Sequence, residues 1–126
     1  MLEAAALGAT RIGHGIHIVQ DAGDMQRARE LGLHFEVCPS SNVHTGAAAS
    51  LATHPLREMQ AAGLSLSVST DNRLMSGVSL SSELQALHEV VGLGLEQIGQ
   101  MNRAAAAASF MPKAACEAAL GAISAS

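Results

Sequence analysis

Aromatic residues are almost missing from this sequence. Its 126 residues include no Trp, no Tyr and two Phe, although 48% of them are hydrophobic. Alanine supplies much of the apolar content, most visibly in the run at 104–108. The length fits a single domain over residues 1–126. Because alanine favours helices but buries little surface, we expect the core of this domain to be thin.

Positive charge is also scarce. Lys113 is the only lysine, the arginines are scattered, and the net charge is -4 at pH 7. Because nucleic-acid binding depends on neutralising phosphates, we expect no nucleic-acid partner. The sequence has no basic leader and no apolar stretch long enough to span a bilayer, which predicts a cytoplasmic protein without membrane contact.

The two cysteines lack metal or redox spacing. Cys38 and Cys116 lie far apart without a CxxC motif, which is typical of reduced, buried thiols. A nucleophilic Cys38 would need a base and an electropositive setting, whereas its apolar surroundings favour a structural role. The sequence also contains no phosphate-binding loop, no GxSxG and no HExxH motif.

Short strands alternate with helices along the chain. Alternating polarity predicts strands at 34–38 and 64–68, and a further strand is predicted at 9–13, leading into the turn around His14. Helices are predicted at 2–7, 25–33, 56–62, 81–91 and 95–110 and after Pro112, with Ser81 or Ser82 as a cap and loops at 40–53 and 73–79. This order predicts an α/β fold with right-handed parallel crossovers. Three strands cannot close an eight-stranded barrel, which typically needs about 250 residues.

Two polar residues follow predicted strands. Asp71 comes after the strand at 64–68, and His14 lies between two glycines after the strand at 9–13. Barrel enzymes present catalytic groups at such strand ends. Asp71 is either a metal ligand or general base, or a turn residue. His14 either orients or deprotonates a water, or forms a loop hydrogen bond to the backbone.

The other histidines lack ligand spacing. His17 follows His14 by three positions, but a strand end does not hold such a pair on one face, so we do not expect them to share a metal. The remaining four are interpreted as surface or structural residues: His34, His44, His54 and His88.

Five segments, in order, resemble the adenosine deaminase family. They are RIGHG at 11–15, EVCPSSN at 36–42 with TG at 45–46, HPL at 54–56, STDN at 69–72, and Asn102 with SF at 109–110. The segment 71–77 is similar to the bacterial branch, in which Asn follows the metal-binding Asp. The similarity covers nearly the whole chain.

This resemblance implies part of a metal-dependent (β/α)8 barrel that hydrolyses the 6-amino group of adenosine or 2'-deoxyadenosine, giving inosine or 2'-deoxyinosine and ammonia in purine salvage. It implies that Asp71 is a zinc ligand and that His14 polarises or orients the zinc-bound hydroxide. Asn72 occupies the position that hydrogen-bonds the purine ring of the nucleoside substrate. The implied cofactor, Zn²⁺, lowers the pKa of a bound water to about 7.

Two motifs of the family are missing: the His-x-His after its first strand, and a His-Ala-Gly-Glu segment that supplies another metal histidine and the general-acid glutamate. The resemblance therefore covers about three βα units plus terminal helices, the C-terminal third of the barrel. Because catalytic zinc needs about three protein ligands, we expect the isolated chain to be inactive and the N-terminal part of the barrel to be a candidate partner. The alternatives are a non-catalytic remnant or interaction fragment, and part of a sister deaminase acting on adenine or a modified purine.

Overall fold

Three parallel strands form the sheet. The computed structural model describes residues 1–125, so Ser126, the last residue of the predicted domain, lies outside the described residues. The strands are β1 (Arg11–Gly13), β2 (His34–Val37) and β3 (Ser65–Val68), in the spatial order β1-β2-β3. All three predicted strands are confirmed, each one or two residues shorter than expected.

Helices occupy every connection between the strands, which confirms the predicted α/β class. A 3-10 helix spans Ile16–Gln20, and a π-helical turn spans Leu87–Val91. The α-helices are α1 (Leu2–Ala6), α2 (Ala22–Glu30), α3 (Pro39–His44), α4 (Leu56–Ala61), α5 (Arg73–Ser76), α6 (Leu80–Ala86), α7 (Leu95–Ala108) and α8 (Lys113–Ala125).

Helix α3 lies where a loop was predicted, at 40–53. Pro39 begins this helix, and its fixed φ suits the first helical position. The carboxylate of Glu83, from α6, accepts hydrogen bonds from the Ser40 amide at 2.7 Å and the Ser40 hydroxyl at 2.5 Å. The prediction was wrong because a residue far along the chain satisfies the Ser40 amide in the first turn of α3.

Helix α5 lies in the second predicted loop, at 73–79. Asn72 caps it by accepting hydrogen bonds from the amides of Leu74 and Met75. The cap predicted for the next helix was also placed too late. Ser79 is that cap, and its hydroxyl accepts from the Ser82 amide at 3.1 Å.

The two faces of the sheet differ in polarity. Ile12, Phe35 and Leu66 are paired across the three strands and are all buried on one face. The neighbouring registered row, Arg11, His34 and Ser65, must lie on the opposite face because side chains alternate along a strand. The apolar face therefore packs the core, and the other face carries polar groups.

Cys38 is a buried free thiol, as predicted, whereas the free thiol of Cys116 is only partly buried. Burial, with a smaller contribution from the charge of Asp71, raises the pKa of Cys38 to about 11. A thiol with so high a pKa is a poor nucleophile near neutral pH. Among the helices of residues 1–125, none combines the length and the apolarity that a bilayer crossing needs.

Candidate active site at the strand ends

The carboxyl edge of the sheet brings together the two candidate residues that follow β1 and β3. His14 Nε2 lies 3.7 Å from Asp71 Oδ2. Their side chains are 45% and 43% exposed, so solvent reaches both. The His14 amide donates to the Glu36 carbonyl at 2.9 Å, and this bond ties the histidine to β2. The structure thus forms one polar site from residues far apart in sequence.

Both residues have a strained backbone. His14 has φ 59° and Asp71 has φ 55°, and they are the only non-glycine residues with positive φ in the part of the chain that the structure describes. The left-handed conformation costs a residue with a Cβ about 1–2 kcal/mol. Such strain persists where surrounding contacts enforce it, and it concentrates at functional sites. Their backbone conformation therefore supports His14 and Asp71 as functional residues.

Gly15 allows the chain to turn tightly after His14. Its φ is 65°, and a Cβ built on it would lie 2.7 Å from Cδ1 of Phe35. Phe35 is fully buried in the core. Only glycine fits this position without displacement, so the core sets the direction in which the His14 segment leaves β1.

Ser41 holds the carboxylate of Asp71. The Ser41 hydroxyl donates to Asp71 Oδ2 at 2.7 Å, and Ser41 is itself buried on α3. This is the kind of contact that orients a carboxylate before it binds a metal.

Asn42 holds the imidazole of His14. Asn42 Nδ2 lies 3.1 Å from His14 Nδ1, and Asn42 Oδ1 lies 3.1 Å from His54 Nε2. Asn42 and His54 are 3% and 4% exposed. Burial lowers the pKa of His54 to about 4. His54 is therefore structural, one of the two alternatives expected, and a role for Asn42 was missed because its two partners come from distant parts of the sequence.

Asn72 is exposed at the start of α5. Its Oδ1 accepts from the amides of Leu74 and Met75 at 3.1 and 3.2 Å. Because Oδ1 is committed to the helix, Nδ2 is the Asn72 atom that can donate to a ligand.

A cavity of about 440 Å³ adjoins the site. Its lining includes His14, Ser41, Asn42 and Asp71. Small-molecule pockets usually measure about 300–1,000 Å³, so this cavity has the size of a small-ligand site.

The described residues fit only part of a catalytic zinc site. Within residues 1–125, no group of three or more His, Cys, Asp or Glu is placed to hold a metal. Catalytic zinc is usually bound by three protein ligands. Asp71, half-exposed and oriented by Ser41, fits one oxygen ligand of such a set.

Parallel strands with helical connections and polar residues at their carboxyl ends are the arrangement found in α/β barrels and in open parallel α/β sheets. The family model described as adenosine deaminase matches residues 3–125, and the chain belongs to the adenosine deaminase family. The adenosine deaminase of Mycobacterium tuberculosis is 40% identical over 119 residues, covering 86% of this chain and 33% of that relative. The chain therefore spans about a third of the length of the curated relatives it matches.

Solved structures agree with this portion of a barrel. The crystal structure of adenine deaminase from Arthrobacter aurescens superposes with a TM-score of 0.91 and 28% identity, covering 98% of this chain and 38% of that chain. A Burkholderia ambifaria amidohydrolase with bound Zn gives a TM-score of 0.86 at 22% identity, covering 98% of this chain and 35% of that one. The predicted resemblance to the C-terminal part of a barrel is confirmed.

Proposed function

We propose that this chain supplies the C-terminal part of the active site of a cytoplasmic, zinc-dependent purine nucleoside deaminase that serves purine salvage. The observation that carries the proposal is the pair of strained residues, His14 and Asp71, which lie 3.7 Å apart beside a cavity of about 440 Å³. The reaction adds water to C6 of adenosine or 2'-deoxyadenosine: the bond from C6 to oxygen forms, the bond from C6 to the amino nitrogen breaks, and ammonia leaves. Family membership and the 40% identical adenosine deaminase support this chemistry.

Each candidate residue has a distinct role in this proposal. Asp71 would hold zinc through its carboxylate, in the orientation that the Ser41 hydroxyl maintains. Zinc, when bound, supplies water activated for attack by lowering its pKa towards 7. His14 would orient the attacking water beside Asp71. Asn72 donates from Nδ2 to an acceptor nitrogen of the purine, such as N7.

A second candidate substrate is adenine itself. The 28% identical structure with a TM-score of 0.91 is an adenine deaminase. Asn72 would contact the base, which adenine and adenosine share. Relative turnover of adenosine, 2'-deoxyadenosine and adenine therefore distinguishes these candidates.

The isolated chain is expected to be inactive because Asp71 is only one of the ligands that catalytic zinc requires. A further candidate is therefore a non-catalytic interaction fragment. Large apolar side chains at Leu7, Leu74 and Phe110 are exposed, which favours contact with a partner. In the proposal, that partner is the N-terminal part of the barrel.

A chimeric enzyme tests the function. Residues 1–126 replace the matching third of the Mycobacterium tuberculosis adenosine deaminase, and ammonia release is measured from each purine with and without zinc. We expect zinc-dependent turnover by the chimera and none by the isolated chain. A chimera that folds and binds zinc but does not turn over any purine would contradict the deaminase proposal and favour the interaction fragment. Turnover by the isolated chain with stoichiometric zinc would contradict its predicted inactivity.

A further inference from the structure

A chain of hydrogen bonds connects a backbone amide of α4 to the exposed imidazole of His14. It runs from the Leu56 amide through His54 and Asn42, and each of its three contacts measures 3.1 Å. We propose that Asn42 and His54 are positioning residues that hold His14 in the tautomer with its proton on Nε2. The catalytic meaning of this tautomer rests on the proposed function, whereas the tautomer itself is a property of the chain alone.

The direction of the hydrogen bonds is set at the Leu56 amide. A backbone N–H can only donate, so His54 Nδ1 must accept. A neutral imidazole carries one proton, which must then be on Nε2 of His54. Burial keeps this ring neutral near pH 7 because it lowers the pKa of His54 to about 4.

The donor on His54 determines which end of the Asn42 amide faces His14. Because His54 Nε2 donates, the Asn42 atom that faces it is the carbonyl oxygen Oδ1. The amide nitrogen Nδ2 therefore faces His14, and an amide nitrogen can only donate. The backbone amide of Leu56 thus determines the orientation of the Asn42 side chain.

His14 Nδ1 must accept the hydrogen bond from Asn42, which leaves the proton of the neutral ring on Nε2. Nε2 is also the nitrogen that lies 3.7 Å from Asp71 Oδ2. At the proposed site, His14 therefore presents an N–H donor. It orients the attacking water by donating to the water oxygen and does not act as the base that removes its proton.

The tautomer can be measured without zinc, substrate or a barrel partner. The full 126-residue chain, labelled with 15N in its histidine rings, is studied by NMR at about pH 9, above the usual imidazole pKa of about 6.5. Couplings between ring nitrogens and ring protons distinguish the two tautomers, and His14→Gln and His54→Gln assign the resonances. We expect His14 and His54 both to carry their proton on Nε2.

Reversing the polarity of one contact sharpens the test. Asn42→Asp replaces the donor that faces His14 with an acceptor of nearly equal size and keeps an acceptor for His54. We expect the His14 proton to move to Nδ1 while His54 keeps its proton on Nε2. His44→Gln, an exposed substitution on the same helix, should leave both tautomers unchanged.

A wild-type His14 with its proton on Nδ1, or with the mixture of tautomers typical of free imidazole, would overturn the proposal. An unchanged His14 tautomer in a folded Asn42→Asp variant would overturn it as well. The wild-type spectrum decides the matter even where that variant fails to fold. In the chimera, Asn42→Asp should lower kcat at least about tenfold with a smaller change in KM. An inactive chimera whose His14 keeps the Nε2 proton would contradict only the proposed function.

Discussion

Two polar regions of this molecule each contain a central histidine, and the two histidines differ in backbone conformation and in exposure. At the strand ends, His14 has φ 59° and a half-exposed side chain. On the polar face of the sheet, His34 lies within β2 and is 4% exposed. Its two ring nitrogens each lie 2.8 Å from a serine hydroxyl, of Ser65 and of Ser67.

This comparison separates a residue that serves the fold from one that is available to a ligand. His34 combines regular strand geometry with two hydrogen-bond partners, and burial lowers its pKa. Buried polar groups satisfied in this way are ordinary parts of a folded core. His14 combines strain with exposure, which the fold alone does not require. Both regions adjoin a cavity, so a nearby cavity does not distinguish them.

The largest expected effect separates the two regions by activity. Asp71→Ala in the chimera should lower kcat/KM at least about 10³-fold, several kcal/mol of transition-state stabilisation, because it removes the proposed zinc ligand. Ser65→Ala, which removes a partner of His34 on the sheet face, should leave kcat/KM nearly unchanged. Steady-state deamination rates and bound zinc measure both variants. Equal losses in the two variants would break the functional distinction between the regions.

Gly15→Ala tests how firmly the core directs the His14 segment. The new methyl group would meet Phe35 in a left-handed backbone conformation, so the free energy of unfolding should fall by about 3 kcal/mol. Gly46→Ala is the matched control because Gly46 has φ 78° and open space around it, and it should cost only about 1 kcal/mol. Urea denaturation measures both losses. Equal losses would show that Phe35 does not constrain this turn.

The stability of the protein in acid distinguishes two buried histidines, His54 beside the candidate site and His34 on the polar face of the sheet. The pKa of His54 in the folded protein is about 4, below the usual 6.5. The contribution of neutral His54 to the free energy of unfolding is therefore complete above pH 6.5 and is lost as the pH falls towards 4. The loss amounts to about 3 kcal/mol at most, and His54→Gln should remove it from the pH dependence of unfolding. Burial and, more weakly, the charge of Arg11 lower the pKa of His34, while the charge of Glu36 opposes them. We therefore expect His34→Gln to change the pH dependence of unfolding less than His54→Gln does. A larger change from His34→Gln would contradict this ranking.

The smallest expected effect concerns the orientation of Asp71. Ser41→Ala removes the 2.7 Å hydrogen bond to Oδ2, and zinc affinity of the chimera should fall about tenfold to a hundredfold. Ser50→Ala removes an exposed hydroxyl that bonds Thr53, away from the site, and serves as the control. Competition with a zinc chelator measures both affinities. Equal affinities for wild type and Ser41→Ala would leave Ser41 without a role at the metal.

Local sequence patterns predicted much of the fold and the positions of the candidate residues. Alternating polarity located β2 and β3, β1 was also predicted, and the residues just beyond β1 and β3 are the ones that meet. The sequence did not predict α3, whose first turn is held by hydrogen bonds to Glu83 from a different helix. It also did not predict the contacts of Asn42, which join His14 and His54 across separate segments. Such contacts depend on tertiary packing, which no local pattern encodes.

The contact between Glu83 and Ser40 has a consequence for the order in which the site forms. Helix α3 has six residues, too few to be stable alone, yet it carries Ser41 and Asn42. Glu83 is 1% exposed and joins α6 to the start of α3. A nascent chain that has reached only Asp71 contains both candidate residues but not the carboxylate that secures their supporting helix. The site therefore reaches its final geometry only after α6 has been synthesised and has docked.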